Sequence, residues 1–329
     1  MLRRVLVSGE IRCPEIPVVD EVEMRHARTV PEAPTSLQPS STTVGRRRFR
    51  MVDRVFELRT SVMAFLPVMD HLFAPFACAG SDPPSAVYEV REFERPADRR
   101  RYEARKDGET VGRVSSIGLL VDLLVRETTN EVVSEATRYI AIHAAAAARD
   151  GRAVVMPAPP GQGKTTMVAA LVHHGWDFLT DEAVLISTAD GLVHPFPRPL
   201  SISPGSMRLL PGLRERIPAP TTSYRHYDHH VAPDDLRPGC VSGPVPIGGV
   251  VFPRYAPGAA TALEPIPRAG ALLDLLKGTF NLDALGGKGV ETLARIVGGV
   301  PCYRLRIGGL ASAVDEIQRS HVRTWTVTY

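Results

Sequence analysis

Ala158-Pro159-Pro160-Gly161-Gln162-Gly163-Lys164-Thr165-Thr166 decides how this chain is read. Gly161 and Gly163 flank one variable residue, so successive backbone N–H groups can turn inward without Cβ clashes. Such a run forms an anion nest that opens onto a helix N-terminus. The nucleotide-contacting residues are then Pro160, Gly161, Gln162, Gly163, Lys164, Thr165 and Thr166. Lys164 would reach the β- and γ-phosphates, and the Thr165 hydroxyl would enter a Mg²⁺ shell. The P-loop pattern has glycine where Ala158 stands, and a methyl group fits there only if φ stays negative.

The flanks agree with the loop. Arg152 to Met156 reads as a short buried strand, and Met167 to Val172 as an apolar helix that Gly175 can close. Strand, glycine-rich turn and helix in that order are the context the motif requires. Upstream, helix propensity pulls Ala144–Ala148 toward helix. Asp150-Gly151 instead marks a hairpin turn ahead of the P-loop strand, so Tyr139 to Ala147 is read as a strand.

Composition narrows the class. The 329 residues suffice for one large domain or two ordinary ones, and 44% hydrophobic residues fit a globular protein with a proper core. No apolar run is long enough to span a bilayer, and the N-terminal apolar stretch is too short for a signal peptide. A net charge of +3 does not argue for nucleic acid. Cys13, Cys78, Cys240 and Cys302 lie far apart without a CxxC pair, which fits reduced thiols. A cytoplasmic protein without nucleic-acid or membrane partners is expected, and a homo-oligomer is left open.

Along the chain, residues 1–50 are expected to be a disordered N-terminal segment, rich in Pro, Ser and Thr from Glu23 and ending in Arg46-Arg47-Arg48-Phe49-Arg50. Residues 51–130 read as a small α+β region. In it, Val62–Phe73 has helical spacing broken at Pro67, Val87–Phe93 alternates like a strand, and Arg101–Val114 forms a hairpin around Asp107-Gly108. Residues 131–329 read as the nucleotide-binding domain. Pro195–Pro220 is proline-dense loop with short elements, Ile247–Phe252 and Cys302–Ile307 are strands, and Leu310–Ser320 is a final helix. His226 and His229 have usable metal spacing, but no cysteine or carboxylate completes a set, so Tyr224–His230 is read as a polar loop.

Phosphoryl transfer needs a carboxylate near the metal and a group that orients the nucleophile. Phe178-Leu179-Thr180-Asp181-Glu182-Ala183-Val184 supplies adjacent acids where the chain returns from the P-loop helix to a strand. One acid can serve the Mg²⁺ shell while the other takes a hydroxyl proton.

With these residues the stretch from Tyr139 to Ile186 resembles the HPr kinase/phosphorylase family, whose fold is akin to phosphoenolpyruvate carboxykinase. The matching features are His143 on the strand ahead of the loop, the loop through Thr165, Gly175, and Asp181-Glu182. The HPr-kinase-related group is the nearer likeness. Its pattern is matched by His143-Ala144-Ala145, Asp150-Gly151-Arg152-Ala153-Val154, Gly163-Lys164-Thr165-Thr166 and Leu179-Thr180-Asp181-Glu182. Pro195–Leu200 and Val251–Tyr255 resemble it too, whereas the region before Asn130 does so only weakly.

The resemblance implies an α/β fold, a P-loop kinase domain of the HPr kinase/phosphoenolpyruvate carboxykinase type with a mixed sheet and flanking helices. It implies an ATP- and Mg²⁺-dependent kinase acting on a hydroxyl, serine by the likeness, of a small protein or peptide. Asp181 would be the general base with His143 beside it, Glu182 would join Thr165 at Mg²⁺, and Arg254 would steady phosphate charge, with a lesser claim for Arg198. Glu182 stands where the family has aspartate, and the family's arginine–glycine signature is absent. That argues against HPr itself as the substrate. Two other readings stand beside the kinase: a nucleotide-dependent sensor of a peptide-modification system that transfers nothing, and carboxykinase-like chemistry on a small molecule.

Overall fold

The computed structural model describes residues 44–93, 101–217 and 229–321. The chain forms β1 (Gly45–Met51), β2 (Arg54–Thr60), α1 (Leu66–Leu72), β3 (Ala86–Phe93), β4 (Arg101–Lys106), β5 (Glu109–Val114) and α2 (Ile117–Ser134). Then come β6 (Tyr139–Arg149), β7 (Arg152–Pro157), α3 (Lys164–His173), β8 (Asp177–Thr180), β9 (Ala183–Ser187), β10 (Val193–His194), β11 (Leu200–Ile202) and α4 (Pro204–Met207). The rest is β12 (His229–Val231), α5 (Pro233–Leu236), β13 (Ile247–Tyr255), β14 (Ala262–Pro265), α6 (Arg268–Lys277), α7 (Leu282–Gly299), β15 (Cys302–Ile307) and α8 (Leu310–Ser320).

The protein is mixed α/β. The larger sheet runs β10-β9-β6-β7-β13-β15-β14, with β8 also pairing with β6. β6 and β7 form the expected hairpin, closed by Asp150 (φ 50°) and Gly151 (φ 71°). Positive φ at both central residues matches the right-handed twist of the flanking strands, so the turn overrides the helix propensity of the alanine run. The alanines are useful in a central strand. Ala145 and Ala147 face a cluster containing Met167, Leu171 and Trp176, while Ala144, Ala146 and Ala148 face one containing Leu179, Leu275 and Leu293. Small side chains on both faces let helices approach the sheet from either side. α3 and α8 pack on one face, and α6 and α7 on the other. Each large apolar side chain so buried contributes about 1.5–3 kcal/mol.

The smaller sheet has the order β1-β2-β3-β4-β5, and its β4–β5 hairpin turns at Asp107 (φ 49°) and Gly108 (φ 89°) as the sequence indicates. α1 and α2 cover one face, and this core runs on into the larger sheet through Ala141, Ala183, Leu185 and Phe196. Pro67 lies in the first turn of α1, so it starts that helix rather than breaking one.

Two expectations need correction. Residues 45–50 are not a disordered tail: they form most of β1, because Phe49 and Met51 alternate with arginines and bury in the core. Residues 1–43 of the segment expected to be disordered, and Tyr224–Asp228 of the histidine-rich stretch, lie outside the described residues. His230 is not part of a polar loop. It sits in β12, 2% exposed, with Nε2 against the Asp122 carboxylate of α2. The boundary drawn at 130/131 falls inside α2. Cys78, Cys240 and Cys302 are free thiols, and no helix among the described residues is long and apolar enough to cross a membrane.

Candidate active site

β7 ends at Pro157 and α3 begins at Lys164, so Ala158–Gly163 spans strand to helix N-terminus. Gly161 (φ 79°) and Gly163 (φ 85°) occupy the left-handed region, which side chains with a Cβ avoid. Ala158 does not, so its methyl group fits a position where the motif has glycine. Gln162 Oε1 accepts from the Tyr255 N–H at 3.1 Å, which fixes the loop against the carboxyl end of β13.

β6 runs antiparallel to β7 and to β9, pairing Ala144 with Pro157 and His143 with Ala183. His143 therefore stands between the glycine loop and the acidic pair. β8 and β9 pair with different parts of β6, and Asp181-Glu182 fills the break between them. The Glu182 carbonyl accepts from the Ala144 N–H across that break. Hairpin register and strand interruption together bring the acids beside the loop.

The side chains form one connected network. Lys164, 6% exposed, directs Nζ to the carbonyls of Ala158 (2.6 Å) and Pro159 (3.3 Å) and to His143 Nε2 (2.8 Å). An ammonium only donates, so Nε2 accepts and the imidazole proton is assigned to Nδ1. Nδ1 lies 3.1 Å from Glu182 Oε1 and donates to it. Asp181, 1% exposed, takes the Thr165 hydroxyl on Oδ2 and Arg198 Nε on Oδ1, both at 3.2 Å. Arg198 also lies 3.7 Å from Glu182 Oε2.

Burial raises the Asp181 pKa from its ordinary value, against the pull of Arg198. Burial also acts to raise Glu182, but the His143 hydrogen bond and the charges of Arg198 and Lys164 outweigh it and hold the carboxyl at about 2. Lys164 is lowered by burial, with the two acids opposing. Environments that separate neighbouring acids in this way are a feature of reactive sites.

Lys164, Thr165, His143, Asp181 and Glu182 thus converge, as the sequence indicates. Arg254 does not join them: its side chain is exposed at the end of β13 and makes no hydrogen bond or ion pair among the described residues. Arg198, given only a lesser claim from sequence, is the cation that meets both acids. The Phe196 N–H donates to the Leu179 carbonyl, which ties its segment to the strand just before the acids. Its signal was a lone arginine between Pro197 and Pro199, downstream of the acidic pair. Ser206, within 2.7 Å of the Thr166 hydroxyl, and Phe280, edge-on to His143 at 5.6 Å, were not foreseen. Neither has a motif around it, and both arrive from distant elements.

Comparison with protein-family models and with curated proteins finds no match for this chain.

Proposed function

We propose that this protein is an ATP-dependent kinase of the HPr-kinase-like P-loop type that phosphorylates a hydroxyl, serine by the resemblance, on a small protein or peptide. The observation that carries the proposal is the Thr165–Asp181 contact beside the Lys164–His143–Glu182 chain. A phosphate nest alone would serve any nucleotide-binding protein. A second chain of proton-bearing groups reaching the same lysine is what transfer requires in addition.

The hydroxyl and carboxylate of Thr165 and Asp181 are hard oxygen donors that fit Mg²⁺. Bound there, the ion would neutralise charge on the transferring phosphates. This favours an exchange of the roles expected for the two acids. Asp181 is enclosed by Thr165 and Arg198, whereas the Glu182 side chain is about one-third exposed and paired with His143. Glu182 and His143 would therefore receive the acceptor hydroxyl and Asp181 would hold the metal. Lys164 would exchange the loop carbonyls for phosphate oxygens. The acceptor oxygen bonds to the γ-phosphorus as the bond to the β–γ bridging oxygen breaks, and ADP leaves. The hydroxyl proton passes to the Glu182–His143 pair. A carboxylate near pKa 2 is a weak base, but a loose transition state needs the nucleophile oriented more than deprotonated.

The test is transfer of label from γ-labelled ATP to peptides and small proteins encoded beside this chain. Lys164→Ala should abolish transfer, and Asp181→Asn and Glu182→Gln should each lower turnover by about 10²-fold or more. Transfer by Lys164→Ala at the wild-type rate would refute the proposal. ATP binding without transfer to any of these acceptors would favour the sensor reading.

A further inference from the structure

The five-stranded sheet has a second face that α1 and α2 do not cover. Side chains alternate across a strand, and directly paired residues share a face. Arg47 pairs with Asp70 of α1, and Arg54 with Glu131 of α2, which marks the helix-covered side. On the opposite side β1 therefore presents Arg46, Arg48 and Arg50, and its neighbour β2 presents Arg59. By the same register β3 contributes Arg91, β4 Arg105 and β5 Arg113. The acids on this face are Glu57, Glu89 and Glu103. Seven arginines against three glutamates leave the sheet strongly cationic, although the whole chain carries only +3.

The glutamates organise the arginines rather than cancel them. Glu57 is buried and lies within 4 Å of Arg46, Arg48 and Arg59 together. Glu103, also buried, is shared by Arg91 and Arg113. Each buried carboxylate holds the inner edge of two or three guanidiniums, and Arg46, Arg91 and Arg113 remain more than half exposed. The connection after α1 laps over one corner, where Gly80 and Asp82 carbonyls accept from Arg48, and Asp82 also pairs with Arg50.

We propose that this arginine face docks an acidic, extended segment of a protein partner. Guanidiniums held flat by a sheet are pre-organised for bidentate carboxylate contacts. Residues two apart along a strand are about 6.5–7 Å apart, the repeat of an extended chain with an acid at every second position. Nucleic acid fits less well: the interspersed glutamates repel a continuous phosphate backbone. The surface is separate from the nucleotide site, and its test does not depend on phosphotransfer.

The experiment is fluorescence polarisation with the full chain and a fluorescein-labelled peptide of alternating glutamate and serine. A glutamine–serine peptide and a single-stranded DNA of equal charge are the controls. Expected is binding of the acidic peptide that weakens steeply with salt and exceeds binding of both controls. R46S/R50S should weaken it about five- to tenfold, and so should R91Q/R113Q, which keeps a hydrogen-bonding group beside Glu103. ATP affinity and the thermal midpoint of R46S/R50S should stay at wild-type values. Equal binding of the neutral peptide, tighter binding of the DNA, no binding at all, or no effect of either variant pair would each overturn the proposal.

Discussion

Arg198→Met tests whether the acidic pair is held by its cation. Arg198 is 11% exposed in its side chain, and its Nε lies 3.2 Å from a carboxylate that is itself almost fully buried. At that separation and an effective dielectric of about 20, the pair is worth about 5 kcal/mol. The gross figure falls because the variant no longer buries a guanidinium and because the Thr165 hydroxyl stays on Asp181. Breaking one half of a buried pair leaves an uncompensated charge, so the net loss should be about 2–4 kcal/mol. Methionine keeps much of the aliphatic stem, which separates charge from packing. The assay is urea unfolding of wild type, R198M, D181N and the double variant. In the D181N background the Arg198 change should cost about 1 kcal/mol or less, giving a coupling energy of at least about 1 kcal/mol. R198M within about 0.5 kcal/mol of wild type, or equal losses in both backgrounds, would refute the reasoning.

Ala158→Gly should leave ATP affinity unchanged and lower stability by about 0.5–1 kcal/mol, because negative φ there gives glycine no advantage; isothermal titration and thermal melts check both. Gly163→Ala should cost about 1–2 kcal/mol despite open space around its Cβ, since φ is +85°, and ATP binding should weaken with it. Burial acts to raise the Glu103 pKa, but hydrogen bonds from Arg113 and Arg91 hold it below 4.5. Its contribution is therefore present above pH 4.5 and fades as pH falls through the depressed value. With both arginines half exposed, E103Q should cost about 1–2 kcal/mol at pH 7 and progressively less in acid, as urea midpoints across pH would show. Asn281→Leu removes the partners of the Ala141 N–H and of the Ala136 and Tyr139 carbonyls, and should cost about 2–4 kcal/mol in the same assay.

The strand–glycine loop–helix unit was legible because its signals are local: the glycine positions, lysine and helix start all lie within one short run. The β6–β7 hairpin was legible for the same reason, with Asp150-Gly151 deciding against alanine's helix propensity. β1 was hidden because a window of arginine, proline and serine looks unable to bury apolar surface. Only the alternation of Phe49 and Met51 with arginines shows the strand, and that pattern gains meaning once β2 lies beside it.

The sequence by itself therefore determined the glycine loop between strand and helix, the acids beside it and most of the strands and helices around it. Tertiary structure decided which acid meets which partner. Asp181 and Glu182 are adjacent in sequence, yet the break between β8 and β9 turns one toward Thr165 and Arg198 and the other toward His143. It also made an ordered surface of arginines that the sequence presents as scattered. Spacing along one chain fixes local geometry, whereas pairing between distant strands sets which charges share a face and which are buried together.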